Sequence, residues 1–245
     1  MSGQLEGKVA IITGAVGGMG AATARLFVTE GAKVVITDIA DDKGQALQEE
    51  LGENVVFFHH DVTSAQEWAA VVDGAIEAFG KIDILVNNAG IYKRATFEEA
   101  TEELFDLHYK INLLGPFLGL KTVYEPMKAN GGGSIVNVSF ISGLGALPGH
   151  ASYGTSKWGV RGLSKYAAVE FGRHNIRVNS THPGFIDTTM LLENSQAVED
   201  SIPDVTPLGR KGTVQELAQL NLFLASDASS YLNGAEIAAD GGTSI

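Results

Sequence analysis

The sequence has no cysteine among its 245 residues. This absence excludes disulfides, thiolate metal ligands and a cysteine nucleophile. It has no apolar run near the roughly 20 residues that would cross a bilayer. Basic residues are also scarce: 17 Lys and Arg against 29 Asp and Glu give a formal net charge of −12. That charge disfavours nucleic acid and anionic membranes as partners, and disfavours an acidic carrier protein more mildly.

The N-terminus lacks the basic and apolar segments of a signal peptide, so we expect a cytoplasmic location. Hydrophobic residues make up 44% of the chain and charged residues 19%, which is typical of a globular protein, and the length suits one α/β domain or two small ones. No linker, internal repeat or low-complexity tract divides the sequence. We therefore predict a single domain over residues 1–245.

The first motif is a strand, a glycine-rich turn and a helix. Residues 8–13 are an apolar run, which predicts a strand buried on both faces. The turn has the spacing Gly14-x-x-x-Gly18-x-Gly20, and helical character follows it. Glycines let a backbone turn sharply and approach a pyrophosphate at a helix N-terminus, so the context predicts dinucleotide binding. Because the spacing differs from the common G-x-G-x-x-G, a mere tight turn is the alternative.

The second strand, residues 33–38, ends in an acidic residue, Asp38. A carboxylate there can accept hydrogen bonds from a ribose 2′-OH and repel a 2′-phosphate, which predicts NAD rather than NADP. A simple helix N-cap is the alternative, although Asp41 and Asp42 could cap the next helix equally well.

The third strand, residues 55–62, ends in Asp61 and Val62, which could face the adenine. His59 and His60 alternate faces on this strand and have no nearby ligand partner, so no metal site is predicted. Together with the later segments, the pattern predicts a parallel sheet with right-handed crossovers. The other predicted strands are 82–87, 134–139, 176–181 and 235–239, and the predicted helices are 41–51, 64–79, 98–129, the helix with Tyr153, and 213–224.

The long helical stretch 98–129 is interrupted around Pro116. Proline has no N–H, so the carbonyl of Asn112, four residues earlier, loses its helical partner. The freed carbonyl needs another donor, such as water or a lysine, and a plain kink is the alternative.

Tyr153 and Lys157 lie four residues apart, which stacks their side chains on one face of a helix. A phenol is a poor base at neutral pH, but a neighbouring cation favours the phenolate and lowers the pKa. The pair therefore predicts proton transfer. A solvated pair on a helix surface is the alternative.

Asn87-Asn88-Ala89-Gly90 ends the fourth predicted strand, and Pro183-Gly184 follows the sixth. Together with the motifs above, they resemble the short-chain dehydrogenase/reductase family, from about residue 5 to residue 242. The segments 152–162 and 207–210 resemble those of bacterial hydroxysteroid and alicyclic-alcohol dehydrogenases. The resemblance implies a single-domain Rossmann fold, a seven-stranded parallel sheet of order 3-2-1-4-5-6-7 with helices on both faces. The motifs that carry it are Thr13-Gly14-x-x-x-Gly18-x-Gly20, Asn87-Asn88-Ala89-Gly90, Asn112, Tyr153-x-x-x-Lys157 and Pro183-Gly184.

The resemblance also implies roles and a homotetramer. Tyr153 would be the acid/base, Lys157 would depress the Tyr153 pKa and bind the nicotinamide ribose, and the Asn112 carbonyl would hold a relay water. Asn88 would lie along the adenosine ribose. The expected cofactor-binding residues are Gly14, Gly17, Gly18, Met19, Gly20, Asp38, Ile39, Asp61, Val62, Asn88, Ala89, Gly90, Tyr153, Lys157, Pro183, Gly184, Ile186 and Thr188.

The chain departs from the family at Phe140, thirteen residues before Tyr153, where the family usually has a serine that orients the carbonyl oxygen. Ser139 should face away from the substrate, because neighbouring strand side chains alternate. Four explanations stay open: Ser142 supplies the donor, Tyr153 orients the substrate alone, the serine has been replaced deliberately in a modified protein, or the chain is no longer a dehydrogenase. Losing one such hydrogen bond costs on the order of 10²–10³ in rate.

We expect NAD-dependent interconversion of an apolar secondary alcohol and its ketone. The alternatives are an impaired or repurposed NAD-binding homologue and a 3-oxoacyl reductase. Polar residues at about 188–206 predict a substrate lid, with a disordered insertion as the alternative. His150 is a possible donor, although an exposed loop histidine is the simpler interpretation. The expected substrate wall is Phe140, Ser142, Leu144, Leu147, His150, Phe185 and Met190.

Overall fold

The computed structural model describes residues 3–192 and 196–245. In these residues one parallel sheet of seven strands has the order β3-β2-β1-β4-β5-β6-β7, which confirms the predicted topology. The strands are β1 Val9–Thr13, β2 Lys33–Asp38, β3 Val55–His59, β4 Ile84–Asn87, β5 Gly133–Val138, β6 Ile176–Pro183 and β7 Glu236–Ala239.

The sheet is buried on both faces, as its continuous apolar strands predict. All five residues of β1 are buried. Ala10 and Ile12 belong to one hydrophobic core, and Ile11, between them, belongs to a second core with Val35. Because successive side chains of a strand point to opposite faces, the two cores lie on the two sides of the sheet.

Helices cover both cores. Ser64 caps the helix α3 (Ala65–Phe79) by accepting a hydrogen bond from the Glu67 N–H at 3.2 Å. Thr213 and Glu216 form a capping box at α9 (Val214–Ala225). The helices are α1 Gly18–Thr29, α2 Asp41–Leu51, α3 Ala65–Phe79, α4 Glu102–Tyr109, α5 Gly115–Ala129, α6 Ala151–Phe171, α7 Thr189–Leu192, α8 Gln196–Val205 and α9 Val214–Ala225.

One predicted segment needs correction, and a second gains detail. The helix expected at 98–129 is two helices, α4 and α5, joined by a π-helical turn at Lys110–Leu114. The interruption around Pro116 is therefore a turn of π-helix, and the plain-kink alternative is wrong. The predicted lid is helical in α7 and α8, and Ile202 is buried, so the segment contributes to packing. Residues 193–195 of that segment lie outside the described residues.

All seven strands run in parallel, so their carboxyl ends lie at one edge of the sheet. Ligands of open α/β sheets bind at that edge. The loop after β4, the loop between β5 and α6, and the segment from the end of β6 through α7 meet there around one cavity.

Candidate active site

A cavity of about 310 Å³ lies at the carboxyl edge of the sheet. Tyr153 and Lys157 of α6 lie in its wall, so the structure brings the predicted proton-transfer pair into a cleft. Several predicted cofactor and substrate residues join them. These are Met19, Asn88, Gly90, Phe140, Leu147, His150, Pro183, Gly184, Phe185, Ile186, Thr188 and Met190.

The glycine turn beside this cavity is shaped to admit a pyrophosphate. Gly14 and Gly18 have positive φ angles of 62° and 51°, which side chains rarely adopt. A Cβ at Gly17, the N-cap of α1, would meet nothing within 4 Å, so the helix N-terminus is open. A Cβ at Gly20 would collide with the Gly14 carbonyl oxygen. The turn therefore fits a dinucleotide, whose phosphates it can approach with backbone N–H groups.

Asn88 fixes the glycine turn from the end of β4. Its side-chain Nδ2 donates to the carbonyl oxygens of Thr13 and Gly14, each at 2.9 Å. The amide N–H groups of Asn88 are thus used within the protein, and its expected place along the adenosine ribose stays a prediction. The side chain positions the turn and also lines the cavity.

Asp38 ends β2 at the same edge. Its Oδ1 accepts a hydrogen bond from the Ala40 N–H at 3.1 Å. The N-cap of α2 is Ala40, and no side chain caps that helix. The structure thus removes the helix-cap alternative for Asp38. The next side chain, Ile39, is 66% exposed, which leaves an apolar surface at the position expected to contact the cofactor.

Asp61 and Val62 follow β3 on this edge. Asp61 is exposed, and its Oδ1 accepts a hydrogen bond from the Thr63 N–H at 2.9 Å. Val62 is buried against the beginning of α5, where a Cβ at Gly115 would lie 2.9 Å from Val62 Cγ2. Val62 therefore packs against the beginning of α5, and a contact of this residue with the adenine stays a prediction.

Asn112 lies fully buried inside the π-helical turn. Its Oδ1 accepts a hydrogen bond from the Ile91 N–H at 2.9 Å, and its Nδ2 donates to the Ile91 carbonyl at 3.0 Å and to Ser156 Oγ at 3.1 Å. The side chain thus ties the turn to the loop after β4 and to α6. Pro116 lies in the first turn of α5, as the argument for a freed Asn112 carbonyl requires.

Tyr153 and Lys157 are both buried on one face of α6. Lys157 Nζ lies 5.7 Å from the centre of the Tyr153 ring and donates to the Val138 carbonyl at 2.9 Å. Within the described residues no hydrogen bond engages the Tyr153 hydroxyl, which leaves it available to a ligand.

The protonation of this pair differs from the prediction. Burial raises the pKa of the Tyr153 phenol well above its usual range, and the neighbouring Tyr92 adds to this effect. Burial lowers the pKa of Lys157 to about 8. Desolvation opposes charge on both groups, so in the protein alone the pKa of Tyr153 is raised, whereas the neighbouring lysine was expected to lower it.

Phe140 fills the position where a serine was expected. Its ring centre lies 5.6 Å from that of Tyr153 in an edge-to-face arrangement and 6.4 Å from that of Phe185. The neighbouring Ser139 donates its hydroxyl to the Lys157 carbonyl at 3.0 Å, within the protein. The cavity wall beside Tyr153 is thus aromatic at this point.

Of the residues expected on the substrate wall, Ser142 and Leu144 do not line the cavity, whereas His150 does. Ser142 is buried and outside the cavity lining, and its Oγ lies 2.7 Å from His150 Nδ1. His150 is a half-buried wall residue rather than an exposed loop histidine, and burial and Arg94 lower its pKa to about 4. Leu144 does not line the cavity, and Leu147 takes that place because the loop turns after a short 3₁₀ segment.

Several lining residues were not predicted. Tyr92 contacts both Tyr153 and His150, with ring centres 4.8 Å and 5.0 Å away. A usable signal was present, since the segment after Asn87-Asn88-Ala89-Gly90 follows a strand at the carboxyl edge. The lining residues that were missed include Ile91, Tyr92, Arg94, Pro148 and Leu191.

In the described part of the chain, no group of three or more His, Asp and Glu side chains could hold a metal ion. No helix formed by the described residues is long and apolar enough to span a membrane.

A parallel sheet of this order, with an open glycine turn and a buried Tyr-x-x-x-Lys pair in one cleft, defines a dinucleotide-binding oxidoreductase. Residues 14–244 match a family model described as Enoyl-(Acyl carrier protein) reductase. The chain belongs to the short-chain dehydrogenase/reductase family. The family and the Rossmann fold imply a nicotinamide cofactor.

Relatives align over almost the entire chain. Trans-4-hydroxycyclohexanecarboxylate dehydrogenase of Sinomonas cyclohexanicum is 44% identical over 99% of this chain and 95% of its own length. A 3-alpha-(or 20-beta)-hydroxysteroid dehydrogenase of Mycobacterium bovis is 45% identical over 99% and 92%. The 3-oxoacyl-[acyl-carrier-protein] reductase of Thermotoga maritima is 42% identical over 99% and 100%. The crystal structure of levodione reductase superposes with a TM-score of 0.93 at 35% identity, covering 98% of each chain.

Proposed function

We propose that this protein is an NAD-dependent dehydrogenase that interconverts an alicyclic secondary alcohol and its ketone. The observation that carries the proposal is the burial of Tyr153 and Lys157 in an apolar cavity next to the open glycine turn. The nicotinamide cofactor, when bound, supplies the hydride acceptor or donor.

Tyr153 is the acid/base of the proposed reaction. During oxidation its phenolate accepts the proton of the substrate hydroxyl, and during reduction the phenol returns that proton. Because burial raises the pKa of Tyr153, the phenolate needs positive charge beside it. The Lys157 ammonium and an oxidised nicotinamide ring both provide such charge, so deprotonation of Tyr153 is favoured when the site is filled for oxidation.

Lys157 binds the nicotinamide ribose and passes protons onward. With its pKa lowered to about 8, the ammonium can lose a proton near neutral pH. The Asn112 carbonyl freed by Pro116 would hold a water that continues this relay. Ile186 and Thr188, at the far wall of the cavity, would hold the carboxamide.

Asp38 supports NAD as the cofactor. It lies at the end of β2, one carboxylate oxygen is fixed by the Ala40 N–H, and the side chain remains partly exposed. A carboxylate at this point can accept from a ribose 2′-OH and repels a 2′-phosphate. The 3-oxoacyl reductase alternative is disfavoured by Asp38 and by the net charge of −12, which repels an acidic carrier protein.

The substrate class follows from the cavity wall. Phe140, Leu147 and Phe185 give it an apolar, largely aromatic surface that suits a ring alcohol. The names of the cyclohexanecarboxylate and hydroxysteroid relatives agree with such a substrate. Helix α7, followed by α8, would close over the ring as a lid, since Met190 and Leu191 of α7 already line the cavity.

A homotetramer is also proposed. Exposed aromatic side chains on α4, α5 and α6 support it, because contiguous apolar surface favours association. These side chains are Phe105, Tyr109, Phe117, Trp158 and Tyr166.

The direct test mixes the protein with a cyclohexanol-type substrate and either NAD or NADP, and follows the absorbance of the reduced cofactor that forms. We expect turnover with NAD, and in Tyr153→Phe we expect a loss of about 100-fold or more in kcat with NAD binding retained. Tight NAD binding without turnover of any alcohol in the wild-type protein would instead support an NAD-binding homologue that has lost redox activity.

A further inference from the structure

The loop after β4 and the loop before α6 form a chain of hydrogen-bonding side chains in the cavity wall. Tyr92 Oη lies 2.8 Å from His150 Nε2, and His150 Nδ1 lies 2.7 Å from Ser142 Oγ. Tyr92 and His150 both line the cavity, whereas Ser142 lies behind them and is buried. The three groups therefore form a path from the protein interior to the cavity.

The burial of Ser142 decides which way the hydrogen bonds in this chain point. Among the described residues, His150 Nδ1 is the hydrogen-bond partner of Ser142 Oγ, and the hydroxyl makes no other hydrogen bond there. A buried hydroxyl hydrogen without an acceptor is costly, so Ser142 donates to Nδ1. His150 is neutral near pH 7, because burial and Arg94 lower its pKa to about 4. A neutral imidazole that accepts at Nδ1 carries its proton on Nε2 and donates it to Tyr92 Oη.

This arrangement leaves the Tyr92 O–H free to donate to a ligand. Tyr92 packs edge-to-face on Tyr153, with ring centres 4.8 Å apart. Both side chains line the same cavity. A donor in this place can reach an oxygen that Tyr153 also contacts.

We propose that Tyr92 is a catalytic residue that donates a hydrogen bond to the substrate oxygen, a proposal that rests on the proposed function. Tyr92 would thereby do the work of the family's serine, whose position Phe140 occupies in this chain. His150 and Ser142 are positioning residues that orient this donor. Tyr92 keeps its proton throughout: the hydroxyl proton of the substrate passes to Tyr153, and the carbinol hydrogen leaves with its electron pair to the nicotinamide. Tyr92 stabilises the oxygen as its charge changes.

The first test is the turnover of Tyr92→Phe. We expect kcat to fall about 100-fold, with NAD affinity, read from tryptophan fluorescence, unchanged. Tyr231→Phe, at a fully exposed tyrosine, is the matched control and should keep wild-type turnover. When Phe140→Ser is added to Tyr92→Phe, we expect kcat to be at least tenfold higher than in Tyr92→Phe alone, because serine returns a hydrogen-bond donor at the family's usual position. Wild-type kcat in Tyr92→Phe would overturn the proposal while leaving the dehydrogenase assignment intact.

The second test does not depend on turnover. Nitrogen NMR of the imidazoles, with His150→Gln used for assignment, reports which ring nitrogen carries the proton. We expect His150 to carry it on Nε2 at pH 7 and Ser142→Ala to weaken that preference. A proton on Nδ1 in the wild-type protein would contradict the proposed orientation of Tyr92, whether or not any alcohol is oxidised.

Discussion

Arg94 is the residue that gives the mouth of the cavity its charge. Of the described residues that line the cavity, Arg94 and Lys157 are the ones with cationic side chains, and none carries a carboxylate. Lys157 is buried and committed to the Val138 carbonyl, whereas Arg94 is exposed. An anionic substituent far from the reacting hydroxyl would therefore meet Arg94.

Replacing Arg94 by glutamine should separate anionic from neutral substrates. We expect KM for 4-hydroxycyclohexanecarboxylate to rise about 3- to 10-fold, since an exposed cation is partly screened, and KM for cyclohexanol to stay the same. Arg173→Gln, an exposed arginine just before β6, is the control. Equal effects on both substrates would show that Arg94 does not recognise the anion.

Among the elements, the junction of β1 and α1 is sensitive to added volume. A Cβ at Gly20 would overlap the Gly14 carbonyl oxygen and lie 2.6 Å from Asn88 Nδ2. The turn would have to shift, because its neighbours on one side are backbone atoms. The same turn is the proposed pyrophosphate site, so packing and cofactor binding depend on one element.

Gly20→Ala should therefore lower both stability and NAD affinity. We expect a loss of about 1–3 kcal/mol in the free energy of unfolding, as for other overpacked sites, and at least a tenfold rise in the NAD dissociation constant. Gly162→Ala is the matched control in α6, where a Cβ meets nothing within 4 Å. There we expect a gain of about 0.5–1 kcal/mol. Unchanged NAD binding in Gly20→Ala would refute the proposed role of the turn.

The elements also show how far sequence reasoning reaches. The strands and their order could be predicted because a parallel sheet buried on both faces requires apolar runs, and β1 and β4 show such runs. The π-helical turn could not be predicted, although Pro116 indicated that the Asn112 carbonyl lacks its helical hydrogen-bond donor. The choice between a kink and an inserted residue depends on packing of Asn112 against Ile91 and Ser156, which no local pattern encodes.

The cavity wall was predicted less well, for a similar reason. Tyr153 and Lys157 follow from helical spacing, but Ser142, Leu144 and His150 lie in a loop whose path is set by long-range contacts. The Ala95 N–H donates to the Gly149 carbonyl at 3.0 Å and joins this loop to the one with Tyr92. Sequence alone could not show that these two loops meet.

For the whole molecule, the buried His60 and the half-buried His150 link stability to pH. Burial lowers the pKa of His60 and of His150 to about 4. His60 lies edge-on to Trp68 at 4.4 Å, and in the described residues its Nε2 has no hydrogen-bond partner. The unfolded chain takes up protons at these sites below its ordinary pKa of 6.5, whereas the folded chain does so only near pH 4. Stability is therefore lost as the pH falls from 6.5 towards 4.

Urea unfolding between pH 7 and 4 measures this linkage. We expect the free energy of unfolding to decrease in that window by up to about 1.4 kcal/mol per pH unit for each such histidine. His60→Gln should be less stable at pH 7 and should have a shallower pH dependence, because one titrating group is removed. The same slope in both proteins would mean that His60 is protonated alike in the folded and unfolded states.

The central claim is that a phenol beside a lysine takes up the alcohol proton next to the hydride acceptor. The most direct measurement is a crystal structure of the protein with NAD. The account predicts the nicotinamide ring in the cavity within contact of the Tyr153 hydroxyl, its ribose on Lys157 and its pyrophosphate on the glycine turn. A nicotinamide ring bound elsewhere, with the Tyr153 hydroxyl out of reach of its reactive carbon, would contradict the account.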